Sequence, residues 1–326
     1  MDFTTLGRTG LKVSVAGLGC GGNSRLGMKT GKTEQESIAV VQRAMDLGVN
    51  FIDTATAYET ETIVGKAIKG RPRDSVVIST KSQSKVGDKI VTPAKVVGDL
   101  DASLKKLGVD YVDVFHLHGA RPDHYDQLVA EHLPVLLKER EKGKFRFIGI
   151  TENQPFDTAH AMASRASQDG HWDVLMIAAH MLNQRPRDLI LKHTIKNNIG
   201  ILVMYVVRTI FSRPERLREA IAEQVAAGNL PKRMSEEENP LAFLVGKGHA
   251  ESLTDAAYRY IRHEPGCHVT LFGTGDIHHV ETNIASILRE PLPAADRERL
   301  SKEFGHLMGV GLDVPTHFPE ARKAGA

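Results

Sequence analysis

Three apolar runs in the first 120 residues each end on an ionisable side chain, and this repeat constrains the fold more than any other feature of the chain. Phe51-Ile52 runs into Asp53, with Tyr58 close behind; Val76 to Thr80 runs into Lys81; Val112 to Leu117 runs into His118. Short runs of this kind, rich in β-branched residues, read as strands of a parallel sheet buried on both faces. In alternating α/β proteins, reactive groups gather at the carboxyl ends of such strands. An acid, a phenol, an amine and an imidazole at three successive strand ends give the chain the pattern of an enzyme.

The rest of the chain continues the alternation. Gly7 and Gly10 punctuate an N-terminal β-hairpin, and a first strand is expected over Val13–Leu18. Thr33-Glu34-Gln35-Glu36 is a capping box for a helix to about Leu47, and Thr92-Pro93 opens a helix that ends near Leu107-Gly108. Further strands are predicted at Phe145–Ile150, Val174–Ala178, Ile201–Tyr205 and His268–Phe272, with intervening helices that include one from near Pro155 and one over Ile277–Leu288. Eight strand–helix units in 326 residues predict an α/β fold, a closed (β/α)8 TIM barrel in one domain spanning 1–326, rather than an open doubly wound sheet. Residues 206–250 form a long loop after strand seven, which either shapes the barrel mouth or is a plain surface insertion.

Composition removes other classes. With 42 basic and 40 acidic residues the net charge is +2, and no basic stripe points to nucleic acid. Cys20 and Cys267 are far apart, with no CxxC spacing, and no secretory leader is visible, so a reduced, cytoplasmic setting is expected. No apolar run approaches the roughly 20 residues of a membrane span. Oligomeric state leaves no signature.

The four polar groups suit proton donation to an oxygen that turns negative as hydride reaches its carbon. A phenol ordinarily titrates near about 10. Lys81 is expected to lower that value, Asp53 to hold Lys81, and His118 to orient and polarise a carbonyl oxygen. Asp53-Thr54-Ala55-x-x-Tyr58, Ser79-Thr80-Lys81 and Asp113 to His118 resemble the catalytic tetrad segments of the aldo-keto reductase family. Leu6 to Ser14 resembles that family's opening hairpin, Gly143 to Thr151 its fifth strand, and Leu271 to Gly275 with His279 to Asn283 its phosphate and adenine segment. The resemblance implies a barrel that binds NADPH, less often NADH, across its mouth and uses no metal. It further implies reduction of a small aldehyde or ketone, or alcohol or sugar oxidation in reverse, with Tyr58 as the general acid.

Within that resemblance, Thr151 and Glu152 stand in place of a Ser-Asn pair that holds the nicotinamide carboxamide, and Met176 replaces a glutamine. Tyr205 keeps the position that stacks on the ring. Gly273, Thr274 and Gly275 offer backbone N–H groups before a helix N-terminus, a setting suited to phosphate, with His279 and Asn283 beyond them. Asp276 stands where NADPH-preferring members often carry a base, with His278, His279 or Arg208 as compensating candidates; family frequency alone favours NADPH.

Several residues admit a second reading. His116 and His118 share a strand face as a His-x-His metal pair would, without an obvious third ligand. Gly17 to Gly22, which contains Gly19 and Cys20, is rich in glycine, but the strand that would deliver a ribose-binding acid about 20 residues on does not begin until Phe51. A flexible first loop at the mouth is the better reading. Trp172 reads as packing, and the tail from Phe304 to Ala326 as a segment that either closes over the pocket or lies on the barrel. The alternative function is a cofactor-holding redox sensor or regulatory barrel with little turnover.

Overall fold

Two-residue alternation along each strand decides what lies inside the barrel. The computed structural model describes residues 1–87, 89–154 and 156–312. Its hairpin pairs β1 (Phe3–Thr5) with β2 (Lys12–Ser14). The next strands are β3 (Ala16–Gly19), β4 (Phe51–Asp53) and β5 (Val77–Gln83), followed by a short hairpin of β6 (Lys85–Val86) and β7 (Lys89–Ile90). Then come β8 (Val112–Ala120), β9 (Phe145–Glu152), β10 (Val174–Ala178), β11 (Gly200–Met204) and β12 (Val269–Phe272). Strands β3, β4, β5, β8, β9, β10, β11 and β12 close into one barrel in that order, every neighbouring pair parallel. The predicted (β/α)8 barrel with its N-terminal hairpin is the fold observed.

The hairpin plugs one end. Leu6, Leu11 and Val13 join Phe51, Val77, Val114, Val174, Met176, Leu202 and Val269 in an apolar cluster inside the barrel. Residues of opposite parity, such as Ile52, Ile78 and Phe115, pack outward against the helices. The amino-terminal end is therefore filled, and only the carboxyl end offers a cleft. Gly7 makes the plug fit: its φ is +49°, and a Cβ there would collide with the Gly200 backbone nitrogen at the start of β11. The Arg8 amide then donates to Asn198 O at 2.6 Å.

Local signals located several helices. The Thr33 N-cap and Glu36 form the expected reciprocal capping box on the helix Glu34–Asp46. The Thr92 side chain and Pro93 open the helix Pro93–Leu107, which ends at a left-handed Gly108.

Four expectations need correction. The first predicted strand is split at Val15: Val13 and Ser14 pair within the hairpin, and the barrel strand begins at Ala16. Strands β5 and β8 run two residues beyond Lys81 and His118, which therefore lie inside the sheet rather than at its edge. The helix after β9 is Ala161–Ala166, entered through a left-handed His160, and Pro155 lies outside the described residues. The stretch 206–250 is not a plain loop: it carries the helix Pro214–Ala226, with Pro at its first position and Leu217 and Ile221 buried one turn apart. Leu230, Met234, Leu241 and Leu244 anchor the remainder.

Trp172 is fully buried and donates its indole N–H to the Tyr125 hydroxyl at 2.7 Å, as a packing residue should. Of the tail, Leu307, Val310 and Leu312 are buried, and residues 313–326 lie outside the described residues. Among the described residues no helix is long and apolar enough to cross a membrane. Gly7→Ala should lower unfolding stability by about 2–4 kcal/mol, because it adds both left-handed strain and a backbone collision. A shift of the denaturant midpoint no larger than that of Gly10→Ala, an open position, would contradict the plug.

Candidate active site

Side chains on the inner face grow more polar toward the carboxyl end. Phe51 is followed two residues later by Asp53 on β4; Val77 is followed by Ser79, Lys81 and Gln83 on β5; Val114 is followed by His116 and His118 on β8. The register sets Asp53 beside Ser79, Lys81 beside His116 and Gln83 beside His118. The floor of the cleft is thus stacked from a greasy layer into a titratable one.

Lys81 is fully buried and Asp53 nearly so. The ammonium donates to Asp53 Oδ1 at 2.8 Å, to Oδ2 at 2.7 Å and to the Thr54 carbonyl at 2.6 Å. The Ser79 hydroxyl adds a bond to Oδ1 at 2.7 Å. Burial pushes the Asp53 carboxyl up and the Lys81 ammonium down, and their mutual attraction opposes both shifts. An ammonium has three N–H donors, and here all three are spent.

Tyr58 ends a short turn, Thr56–Tyr58, followed by a left-handed Glu59 that Arg25 grips at 2.7 Å. Its ring lies close over Gly21, where a Cβ would come within 2.7 Å of the ring carbons. The hydroxyl is 3.5 Å from His118 Nε2, and the two rings meet edge to face with centroids 5.5 Å apart. The Lys81 Nζ lies 4.9 Å from the centre of the Tyr58 ring.

That geometry departs from one expectation. Burial, then the Asp53 charge, hold the Tyr58 phenol well above its ordinary range, and Arg25 rather than Lys81 is the cation that opposes them. Lys81 spends its three donors on Asp53 and the Thr54 carbonyl and gives no hydrogen bond to the phenol. His118 is pushed down to about 3 by burial and then by Lys81, so its ring is neutral. His116 is buried and also held well below its ordinary range by burial. Among the described residues no group of three or more His, Cys, Asp or Glu side chains is placed to hold a metal ion.

A cleft of about 1150 Å³ opens above these groups, at the upper end of what small-molecule sites occupy. Asp53, Tyr58 and His118 line it, and so do Gly19, Glu152, Met176, Tyr205, Gly273, Thr274, Gly275, His279 and Asn283. Thr151 does not: its hydroxyl accepts from the Gly119 amide at 2.8 Å, tying β9 to the turn after His118. Glu152 reaches the cleft but its carboxylate is committed, accepting from Ala178 N at 2.8 Å and meeting His160 Nδ1 at 2.6 Å. Asn183 closes that network on His160 Nε2 at 3.3 Å. Tyr205 is left-handed at φ +64°, with the Arg208 guanidinium 4.2 Å from its ring centre. Lining residues that sequence reasoning missed include Lys32, Lys85, Arg121, Asn153, Gln154 and Phe156. All but Lys85, on the two-residue strand β6, lie in connections, where no periodicity reports which way a side chain turns.

Residues 17–302 match the Aldo/keto reductase family, and the chain belongs to it. It is an NAD(P)H-dependent oxidoreductase. The L-galactose dehydrogenase of Arabidopsis thaliana is 28% identical over 319 residues, covering 93% of each chain. The NADH-specific methylglyoxal reductase of Escherichia coli (strain K12) is 34% identical over 162 residues, 44% of this chain and 48% of that one. An aldo-keto reductase of Bacillus halodurans, solved in its holo form, shares the fold with a TM-score of 0.70 at 23% identity, covering 93% of this chain and 96% of that one.

Two measurements check the electrostatics. Lys81→Met strands the Asp53 charge and should cost about 3–5 kcal/mol of unfolding stability, and adding Asp53→Asn should restore part of it. A smaller loss in the single variant than in the double would contradict the pairing. Folded His118 and His180 both titrate near about 3, against 6.5 in the ordinary state, because burial disfavours their charged forms. Depressed values of this kind leave stability intact above about pH 6.5 and erode it as pH falls from there toward 3. The melting temperature should therefore decline between pH 7 and pH 5; a flat profile would speak against neutral buried rings.

Proposed function

We propose that the chain reduces aldehyde or ketone carbonyls with a nicotinamide cofactor, and oxidises alcohols or sugars in reverse, with Tyr58 as the general acid and base. One observation carries this reading: a phenol kept protonated and facing a cleft, 3.5 Å from a neutral imidazole and beside a buried ion pair. Gly273 to Gly275, Tyr205 and Asn283 would hold the cofactor along the cleft. When bound, the reduced nicotinamide supplies the hydride.

The chain's own residues handle the proton. As negative charge builds on the substrate oxygen, the Tyr58 hydroxyl, protonated at neutral pH, gives up its proton to it. His118 Nε2, in its N–H tautomer, donates a hydrogen bond to the same oxygen without adding a charge. Asp53 holds the Lys81 ammonium 4.9 Å from the ring centre, and Arg25 is the cation that opposes the upward shift of the phenol. Tyr58→Phe should lower turnover by about 10²–10⁴-fold while cofactor still binds. A regulatory barrel with little turnover would instead bind cofactor and show no loss, having nothing to lose across a broad carbonyl panel.

The adenine end supports NADH rather than the NADPH expected from family frequency. Asp276 caps the helix Ile277–Ile287, its Oδ1 accepting from His278 N at 2.8 Å and His279 N at 3.3 Å. These bonds hold its carboxyl below the usual range, so it is charged at neutral pH. The helix donors that would greet an anion are already taken by an anion. Lys32, which also lines the cleft there, is paired with Glu36 at 3.2 Å. A 2′-phosphate would meet a net negative surface. Fluorescence titration should give NADH an affinity at least about tenfold (~1.4 kcal/mol) above NADPH, with the gap narrowing in Asp276→Ser; tighter NADPH binding by the unaltered protein would refute the assignment.

A further inference from the structure

The cleft continues past His118 to a second polar end that the carbonyl chemistry does not use. It is bounded by Lys85, Val86 and Gly87, the turn after β8 and the residues after β9. Arg121 sits on this rim although His118 lies three residues earlier, an odd spacing that would place the two on opposite faces of a regular strand. A bulge explains it. Leu117 pairs with Ile150 and Ala120 with Glu152, so three steps on β8 match two on β9. One extra residue re-aims the strand end, and both side chains reach the same cleft.

The Arg121 guanidinium lies 4.0 Å from the centre of the Phe156 ring, which fixes its plane. Its backbone amide donates to His124 Nε2 at 3.3 Å, and its Nε is buried with no acceptor. Several other cations at or near the cleft face carboxylates: Lys81 has Asp53, Arg25 has Glu59, Lys32 has Glu36, and Lys85 has Asp123 at 3.9 Å, while Arg208 lies over the Tyr205 ring. Among the described residues no ion pair joins Arg121. Of the acids near this end, Asp123 faces Lys85 and His124, and Glu152 is bound to His160. A planar, stacked guanidinium with an unmet donor matches an anionic oxygen group, which it can bind through parallel N–H bonds.

We propose that the substrate carries an acidic group, a carboxylate or a phosphate, besides its carbonyl, and that Arg121, stacked on Phe156, binds it. This rests on the carbonyl-reductase reading of Tyr58 and His118. The acidic group would anchor at Arg121 while the carbonyl oxygen meets Tyr58, which orients the reacting carbon at no cost to the proton chemistry.

The test uses the full chain with NADH and two matched pairs of probes: succinic semialdehyde against butanal, and glyceraldehyde 3-phosphate against glyceraldehyde. At least one acidic member should exceed its neutral partner by tenfold or more in kcat/KM, mostly through KM. The pair that shows the preference identifies the anion, and preference in both pairs supports a general acidic-group site. Arg121→Gln should bring the ratio down toward one, Arg121→Lys should retain part of it, and NADH binding by each variant shows that it is folded. No preference in either pair, or a preference unchanged in Arg121→Gln, overturns the proposal while leaving the reductase reading in place. Cofactor binding without turnover of any of the four probes overturns the reductase reading and this proposal with it.

Discussion

The arrangement depends on one buried ion pair. Two charges withdrawn from water inside a closed barrel are expensive, and only tight geometry with further hydrogen bonds makes the pair tenable. Asp53 and Lys81 meet that requirement through Ser79, the Thr54 carbonyl and two short N–H···O contacts. The consequence reaches beyond stability. A saturated ammonium is a fixed local charge rather than a free donor, and Tyr58, held up by burial and then by the Asp53 charge, stays a neutral phenol. In the proposed reaction the acid would thereby be loaded at neutral pH.

Strand alternation explains how much of this was legible in the sequence. Asp53, Lys81 and His118 each continue a two-residue repeat that starts from an interior apolar residue, so their common face followed from the chain alone. Where the strands stop did not. The sheet continues past Lys81 to Gln83 and past His118 to Ala120, because polar residues satisfied by neighbouring strands extend a strand as well as apolar ones do. Tyr58 depends on a turn with a left-handed Glu59 and on the missing side chain of Gly21, neither of which periodicity reports. The stretch 206–250 was opaque for a related reason: its helix Pro214–Ala226 buries only Leu217 and Ile221, too narrow a stripe to stand out from its charged surroundings.

The segment after β9 shows a different limit. Glu152 looked like a failed nicotinamide contact, an acceptor in a donor's place. In the fold its carboxylate is turned to the Ala178 amide and His160, with Asn183 beyond. Burial pushes the His160 imidazole down, but the Glu152 charge and hydrogen bond, with Asn183 and Asp157, together hold it above its ordinary range, so the network links β9, β10 and the loop after β10 through a buried acid and base. The residue was read from its position in a motif, whereas its partner is eight residues away on a turn with no periodic signal. A buried polar group is interpretable only once its partners are known.

Charge along the cleft then follows a gradient that no single motif contains. At the adenine end a carboxylate, Asp276, occupies the helix donors; in the middle the charges cancel as Asp53 with Lys81; at the far end Arg121 is left without an acid. Under the proposed reading, an elongated cofactor and a small acidic substrate would occupy opposite ends of such a cleft. A 2′-phosphate would be repelled by Asp276, and an acidic substrate would be drawn to the rim beyond His118. Field lines focused by the low-dielectric walls would sharpen that division, so on the proposed reading the order of charges along the cleft, more than any one contact, would set which molecules reach Tyr58.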